Sequence, residues 1–239
     1  KVADLDRLCD EVGLDTIETG AAIAILMDSG GLEWGDAEGA AGLIEQIAEG
    51  TELGKAVGNG AVSIGKHRGH ARVPHGHGQA IPAWDPRPLK ATGITYAAGP
   101  MGADHTAGLI VNPGLVDPTD QARASQEAQL VNAVCDSSGF CQFLQPTLDD
   151  IRVYYGMLYG EEITREQIAD MGWETLQDEW AFNAAAGWKD DENGLPDCMV
   201  NEGIGPENSL KFDVDLATIN LSKQRFDSRE ELFAMKASG

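Results

Sequence analysis

The sequence predicts an all-α, multihelical fold arranged as two helical domains. Apolar residues recur at three- to four-residue spacing along most of the chain, and residues that start and stop helices flank these stretches. Strand patterns are scarce, since only residues 210–216 alternate weakly and could be extended. Residues 68–88 carry four prolines and cannot form a regular helix, so we place the boundary there and predict domains at 1–75 and 76–239.

Five helices are predicted before that boundary. Asp15 suits the N-cap of the second helix, and Glu18, three residues later, predicts a capping box. Gly20, Ala21 and Ala24 give the same helix a face of small residues, which predicts close packing against another backbone. The predicted helices run through Val12 and then over 16–29, 36–49, 51–57 and 61–66.

Six further helices are predicted after the boundary. Asp117 followed by Pro118 indicates a helix start, because a proline at the first helical position needs no backbone N–H. This helix leads into residues 134–141, and a glycine-rich turn over 99–105 precedes it. The predicted helices cover 88–98, 117 onward, 147–159, 164–171, 174–187 and 229–236.

The composition of the chain excludes several classes of partner. Among 239 residues, 39 acidic and 17 basic side chains give a formal net charge of -22, which repels nucleic-acid phosphates and anionic membrane surfaces. No apolar stretch approaches the roughly 20 residues needed to cross a bilayer. Four cysteines do not resemble a secreted disulfide framework, so we expect a cytoplasmic protein without a nucleic-acid or membrane partner.

A short motif occurs twice, at residues 8–15 and 134–141. Both copies read apolar-Cys-Asp-x-x-Gly-apolar, followed by Asp in the first copy and Cys in the second. An amphipathic helical pattern precedes each copy, and Gly13 and Gly139 stand where a left-handed helix stop belongs. The repeat therefore predicts one site built from two similar halves, or one ligand with two similar ends.

The motif aspartates, Asp10 and Asp136, are candidate ligand-binding residues. A carboxylate accepts two parallel hydrogen bonds from a planar pair of donors, and a 2-aminopyrimidinone ring presents such an N–H pair. The alternative is that both aspartates end their helices and face water. The paired occurrence favours binding.

The cysteines divide into two groups. Cys141 stands where the first copy has Asp15, and a thiolate in a loop is a soft ligand for iron or another thiophilic metal. The alternative for Cys141 is a buried, small apolar residue. Cys9 and Cys135 fall on apolar helix faces and are interpreted as core residues, while Cys198 has no evident partner.

The histidines suggest two further sites. Four of them lie within residues 67–77, where a zinc or nickel site is conceivable, although a solvated loop is favoured because no known ligand spacing matches. His105 stands alone in a glycine-rich turn. A lone histidine is usually structural, yet this one lies on a loop and can titrate near neutral pH, so it is a candidate catalytic group.

These residues together resemble the C-terminal, helical part of the aldehyde ferredoxin oxidoreductase family, the tungsten (sometimes molybdenum) bis-pterin enzymes. That family carries two Asp-x-x-Gly-Leu-(Asp or Cys) motifs, matched here by residues 10–15 and by 136–141, with Phe140 in place of leucine. Further segments are similar and occur in the same order, so that the resemblance extends to about Pro206. They are 16–20, 81–87, 96–105, 179–183, 186–187 and 195–196.

The resemblance implies a role for each candidate residue. Asp10 and Asp136 would each bind one pterin, Cys141 would be the fourth ligand of a 4Fe-4S cluster, and His105 would be the catalytic histidine near the metal. The motif loops would line the paired cofactor with Gly13, Leu14, Asp15, Gly139 and Phe140.

The resemblance also implies an activity and a set of partners. The chain would be the C-terminal portion of a tungstopterin oxidoreductase that oxidises small aldehydes to carboxylic acids and passes electrons through the cluster to ferredoxin. The other three cluster cysteines of the family belong to an N-terminal Cys-x-x-Cys-x-x-x-Cys segment, which this sequence lacks. We therefore expect a missing N-terminal cofactor-binding domain, and we expect the isolated chain to bind neither the cluster nor the tungstopterin tightly.

Three alternatives remain open at this point. One is a reductase of the same family that acts on another substrate, such as an aromatic acyl thioester. Another is a non-catalytic helical module that keeps the fold without the cofactor. A weaker one is a small metalloprotein that uses the histidines of residues 67–77.

Overall fold

A computed structural model describes residues 1–238 and confirms the all-α prediction. Within these residues there are twelve α-helices, four short 3₁₀ helices and one two-stranded hairpin. The α-helices are α1 (Val2–Val12), α2 (Thr16–Asp28), α3 (Ala37–Glu49), α4 (Glu52–Gly58), α5 (Ala61–Arg68), α6 (Lys90–Ala98), α7 (Pro118–Ser138), α8 (Leu148–Tyr159), α9 (Arg165–Ala185), α10 (Asp197–Val200), α11 (Leu216–Leu221) and α12 (Glu230–Ala234). The 3₁₀ helices are His105–Ala107, Gln142–Leu144, Asp190–Glu192 and Pro206–Asn208.

The hairpin lies inside the proline-containing stretch that the sequence predicts to be irregular. Strand β1 (His75–Gly76) pairs antiparallel with β2 (Gln79–Ala80). The turn between them places His77 at φ 49° and Gly78 at φ 94°, a pair of positive angles that suits a tight hairpin. The hairpin is not predicted from the sequence, because strands of two residues are too short to show an alternating pattern.

Asp15 caps α2 as predicted, but the predicted capping box with Glu18 is wrong. The Asp15 carboxylate accepts hydrogen bonds from the backbone N–H groups of Ile17 and Glu18, both at 3.3 Å. The Glu18 carboxylate accepts instead from Ala61 N and Ala80 N, both at 2.8 Å. Glu18 therefore satisfies the start of α5 and the end of β2, whose backbone donors would otherwise lack partners.

Two predicted helices, 164–171 and 174–187, form the single helix α9. A Cβ atom on Gly172 would lie 2.7 Å from both the carbonyl oxygen of Leu130 and Cγ2 of Val134. The glycine thus permits close contact between α9 and α7 and does not end the helix.

The weakly alternating segment 210–216 does not form a strand. Its only ladder contact among the described residues is an isolated antiparallel bridge between Ile204 and Leu210. Residue Phe212 is buried, and α11 begins at Leu216. The alternation therefore corresponds to two residues, Phe212 and Val214, that pack against the third apolar cluster from an irregular segment.

Three clusters of buried apolar residues hold the elements together. The first joins α1 to α5 with β2, and its fully buried members include Ala22, Val57 and Ile64. The second joins α7, α8, α9 and α12, and the third packs α6 against the segments around Met199 and Phe212. The division into domains 1–75 and 76–239 stays a prediction.

The longest helices mix apolar and polar side chains. α7 and α9 each have 21 residues, and α7 buries Gln126, Gln129 and Asn132 among its apolar neighbours. In residues 1–238, no helix combines the length and the apolar character that a membrane crossing requires.

Candidate functional site

His105 lies in a turn that Asp104 and the hairpin hold in place. The Oδ1 atom of Asp104 accepts hydrogen bonds from Thr106 N at 2.8 Å and from Thr106 Oγ1 at 2.7 Å. The Oδ2 atom of Asp104 accepts from Gln79 Nε2 at 3.2 Å. The His105 side chain is 20% exposed, and its Nδ1 lies 3.9 Å from Asp104 Oδ1. This histidine is therefore partly accessible and lies beside a fixed carboxylate.

Three adjoining clefts meet at His105. The first has a volume of about 470 Å³ and brings His105 together with Asp136 and Cys141. The second has about 240 Å³ and places Asp15, Glu18 and Asp104 beside the same histidine. The third, of about 480 Å³, lies between α2 and residues 81–84. The structure thus brings together candidate residues that are far apart in the sequence.

Both motif glycines end their helices in the left-handed conformation, as predicted. Gly13 has φ 79° and Gly139 has φ 76°. Asp10 is exposed on α1 and, together with Gly13 and Leu14, does not line any of these three clefts. Gly139 and Phe140 line none of them either, so the two copies differ at their aspartates: Asp136 lines the first cleft, whereas Asp10 lines none of the three.

Asp136 at the end of α7 is held by Gln142. The Nε2 atom of Gln142 donates a hydrogen bond to Asp136 Oδ1 at 3.1 Å and another to the carbonyl oxygen of Thr106 at 2.8 Å. Loss of surrounding water raises the pKa of Asp136, the Gln142 hydrogen bond opposes this shift, and the charge of Asp104 adds to it. The Oε1 atom of Gln142 is buried and has no hydrogen-bond partner in the described residues.

A second carboxylate lies near Asp136. Glu179 on α9 and Asp136 line a small pocket of about 50 Å³ together with Gln129, whose Oε1 atom is also buried without a partner. Loss of water and then the charge of Asp136 raise the pKa of Glu179. The charge of Asp136 therefore opposes the ionisation of Glu179.

Cys9 and Cys135 are buried, as predicted for core residues, and Cys198, for which the sequence makes no prediction, is buried as well. Cys141 is exposed at the start of the 3₁₀ helix Gln142–Leu144. Burial raises the pKa of the Cys135 thiol to about 11. In residues 1–238, no group of three or more His, Cys, Asp or Glu side chains is placed to hold a metal ion. Cys141 is thus a single accessible thiol.

The histidines of residues 67–77 make separate contacts and do not converge on one point. The ring of His77 stacks on Trp188 with centroids 4.0 Å apart, and its Nε2 lies 2.9 Å from the carbonyl oxygen of Ala97. His70 Nε2 lies 2.8 Å from Asp28 Oδ2. The prediction of a solvated loop is therefore wrong for His77, which packs against distant parts of the chain.

Several residues of the site belong to no motif that would predict them. Gln142 follows Cys141 directly but lies outside the repeated motif, and Trp84 lies within the similar segment 81–87 without a predicted role. The small residues Gly20 and Ala24 were interpreted as a packing face, but they line the third cleft. The run of small residues beside the first motif is the sequence signal that points to this cleft.

Comparisons with known proteins identify the same family that the motifs resemble. The family described as "Aldehyde ferredoxin oxidoreductase, domains 2 & 3" matches residues 1–221. The tungsten-containing aldehyde ferredoxin oxidoreductases of Pyrococcus furiosus and Thermococcus kodakarensis are each 27% identical over 213 residues, covering 78% of this chain and 35% of the relative. The Pyrococcus abyssi protein of the same name is 25% identical over 240 residues, covering 88% of this chain and 39% of the relative.

The chain thus spans between a third and two fifths of the length of these relatives. The matched family region covers α1 to α11 and contains both copies of the motif, His105 and Cys141. On this match, the chain belongs to the aldehyde ferredoxin oxidoreductase family, in the region of its domains 2 and 3.

Proposed function

We propose that this chain is the C-terminal portion of a tungsten enzyme that oxidises an aldehyde and water to a carboxylic acid, with release of two protons and two electrons. The observation that carries the proposal is the meeting of three clefts at His105, one of them shared with Asp136 and Cys141. A partly buried histidine beside carboxylates and a thiol suits proton transfer next to a redox group.

The chemistry around Asp136 fits one pterin. Gln142 engages the Oδ1 atom of Asp136, and the Oε1 atom of Gln142 is a buried acceptor without a donor. A ligand edge with several N–H donors, such as that of a pterin, would satisfy both groups. We propose that Asp136, Gly139 and Phe140 hold this pterin.

The first motif would hold the second pterin through Asp10, with Gly13 and Leu14 beside it. Asp15 is engaged differently, because its carboxylate already accepts hydrogen bonds from two amides of α2. We propose that Asp15 fixes the direction of α2 and borders the cofactor through the 240 Å³ cleft.

The chain does not fit a complete 4Fe-4S cluster. Such a cluster takes four cysteine ligands, and Cys141 is the one exposed thiol among the four cysteines. We propose that Cys141 supplies one ligand and that an N-terminal domain supplies the rest, with ferredoxin as the final electron acceptor. The isolated chain is then expected to hold neither cluster nor tungstopterin tightly.

His105 is proposed to move the proton that the oxidation releases. Its Nδ1 lies 3.9 Å from Asp104 Oδ1, and we assign the contact with a ligand to the other ring nitrogen, Nε2. The bound tungsten pterin would supply the two-electron oxidation, and His105 would accept a proton from the water that provides the second carboxyl oxygen. The four unpaired cysteines fit a reducing compartment, so the cytoplasm is the proposed location.

The test uses the native polypeptide that carries this chain, purified without oxygen. We expect bound tungsten and aldehyde-dependent reduction of a viologen dye. His105→Asn should lower kcat by about 100- to 10,000-fold with tungsten content unchanged. His67→Asn, on the exposed end of α5, is the matched control and should retain activity.

Three results would overturn the proposal. Activity of His105→Asn equal to the unsubstituted protein would remove the role of the histidine. Reduction of an aromatic acyl thioester without aldehyde oxidation would favour the alternative reductase. A native polypeptide without tungsten would favour a non-catalytic helical module.

A further inference from the structure

We propose that residues 236–238 form a strap that positions His105 for the reaction, and that Asn132 on α7 is the positioning residue that holds this strap. The strap bonds to the loop that follows His105, to α7 and to the segment that follows Cys141. It lies outside the matched family region, which ends at residue 221. The effect on catalysis rests on the proposed function, whereas the position of His105 can be measured on this chain alone.

The side-chain amide of Asn132 pairs with the backbone of the strap. Its Nδ2 atom donates a hydrogen bond to the carbonyl oxygen of Ser238 at 2.6 Å, and its Oδ1 atom accepts one from Ser238 N at 2.9 Å. The reversed amide would place its NH₂ group against the Ser238 N–H, so these bonds allow one orientation. Asn132 is 1% exposed, and a polar group so deeply buried is stable only when partners satisfy it.

Asn132 also connects the strap to the turn that carries His105. The Nδ2 atom of Asn132 donates a further hydrogen bond to the carbonyl oxygen of Thr106 at 2.7 Å. Gln142 donates to the same oxygen at 2.8 Å, so both of its lone pairs are used. Because Thr106 directly follows His105, these bonds fix the backbone from which the histidine projects.

Two more hydrogen bonds attach the strap to separate parts of the site. The hydroxyl group of Ser238 donates to the carbonyl oxygen of Leu109 at 3.1 Å. On the other side of the strap, Ala237 N donates to the carbonyl oxygen of Pro146 at 2.9 Å, and Ala237 is fully buried. The strap therefore connects the two chain segments that meet in the 470 Å³ cleft.

The anchor of the strap lies one helical turn from Asp136. Residues four positions apart share a face of an α-helix, so Asn132 and Asp136 are neighbours on α7. The strap thus holds His105 and Cys141 to the helix that carries Asp136. Misplacement of a reacting group by about 1 Å can cost on the order of 100-fold in rate, so we expect the strap to affect catalysis strongly.

Two substitutions release the strap by different routes. Asn132→Ala removes the hydrogen bonds to Ser238 and Thr106. Ala237→Leu leaves Asn132 intact but places a larger side chain where the second apolar cluster has no room, which should displace the strap. Val57→Ala is the control for lost stability, because it truncates a fully buried side chain of the first apolar cluster and touches neither strap nor clefts.

The first experiment uses this chain with a nitroxide label on Cys141 and measures the paramagnetic broadening of the His105 ring resonances by NMR. We expect equal broadening in the unsubstituted protein and Val57→Ala, and weaker broadening in Asn132→Ala and Ala237→Leu. In those two variants the backbone amides of residues 105–109 should exchange hydrogen about 5- to 100-fold faster, as the loss of a buried hydrogen bond allows. Unchanged broadening and exchange in both would overturn the inference.

The second experiment uses the cofactor-loaded native protein. Asn132→Ala and Ala237→Leu should each lower kcat by about 10- to 100-fold, with tungsten content and the KM for aldehyde little changed. The double variant should be no slower than the slower single variant, because both substitutions release the same strap.

The outcomes separate the strap from the proposed function. Multiplied losses in the double variant, or a similar loss of kcat in Val57→Ala, would overturn the strap alone. A loaded, unsubstituted protein that oxidises no aldehyde would overturn the proposed function, and the first experiment would still decide whether the strap positions His105.

Discussion

The side-chain amide of Gln142 donates one hydrogen bond to Asp136 at 3.1 Å and another to the carbonyl oxygen of Thr106 at 2.8 Å. One side chain thus connects the second motif to the residue that follows His105. The position of Asp136 relative to His105 therefore depends on a residue outside the motif pattern.

The first prediction concerns the two opposed carboxylates. Asp136→Asn removes the charge that raises the pKa of Glu179, so this pKa should fall towards its ordinary value near 4.5. Carboxyl ¹³C NMR titration measures the change. Glu174→Gln, an exposed substitution on the same helix, should shift the pKa of Glu179 less than Asp136→Asn does. An unchanged titration of Glu179 in Asp136→Asn would contradict the coupling.

The second prediction is the pH dependence of stability that follows from Asp136. Its folded-state pKa lies above the ordinary value near 3.8, so the unfolded chain releases its proton first. As pH rises from about 3.8 through the raised pKa, ionisation favours the unfolded state and stability is lost. Relative to the unsubstituted protein, Asp136→Asn should therefore gain stability across this window, measured by urea unfolding at several pH values. A difference independent of pH would contradict this account.

The third prediction concerns the double acceptor Glu18. Glu18→Gln keeps one acceptor oxygen but turns an amide NH₂ group towards a backbone N–H, which should reduce the free energy of unfolding by about 1 to 3 kcal/mol. Glu11→Gln, which affects only an exposed pair with Arg7, should reduce it by less than about 1 kcal/mol. Equal losses in the two variants would show that the hydrogen bonds of Glu18 contribute little.

The fourth prediction compares two helical glycines. Gly172→Ala places a methyl group 2.7 Å from the Leu130 carbonyl oxygen and from Val134 Cγ2. It should reduce the free energy of unfolding by about 1 to 3 kcal/mol by overpacking. Gly42→Ala meets nothing within 4 Å. It should raise the free energy of unfolding by up to about 1 kcal/mol through helix propensity. Thermal unfolding of both variants separates the two effects, and a stabilised Gly172→Ala would contradict the close contact of α7 and α9.

The fifth prediction is the reactivity of the thiols. Cys141 is exposed while Cys9, Cys135 and Cys198 are at most 5% exposed, so one thiol per folded chain should react rapidly with a disulfide reagent. Unfolding should expose all four. Cys141→Ser should remove the rapid phase, whereas Cys198→Ser should retain it. A rapid phase that survives Cys141→Ser would assign the accessible thiol to another residue.

Local patterns were sufficient to predict most helices. The caps at Asp15 and Asp117 and the glycine stops at Gly13 and Gly139 involve residues within a few positions of each other, so their hydrogen bonds can be predicted from spacing. The predicted end of a helix between residues 171 and 174 is wrong, because Gly172 is required there by its close contact with α7 and does not end the helix. A local pattern contains no information on the neighbouring helix.

The candidate site was predictable only in part. The motif residues and His105 stand out as residue types in loops, but their meeting depends on contacts between distant parts of the sequence. Gln142 reaches Thr106 across 36 positions, and Glu18 reaches Ala80 across 62. No regular sequence spacing predicts hydrogen bonds between residues so far apart, so neither contact could be predicted from the sequence alone.

The hydrogen bond between Glu18 and Ala80 has a consequence for how this site could diversify. Because it connects the two walls of the third cleft, α2 and residues 81–84, a change in their spacing would also disturb the start of α5, which the same carboxylate caps. Evolution or engineering should therefore reshape this cleft by exchanging side chains at positions 20, 24 and 84 while Glu18 is retained. In a collection of homologous sequences, we therefore expect positions 20, 24 and 84 to vary more than position 18.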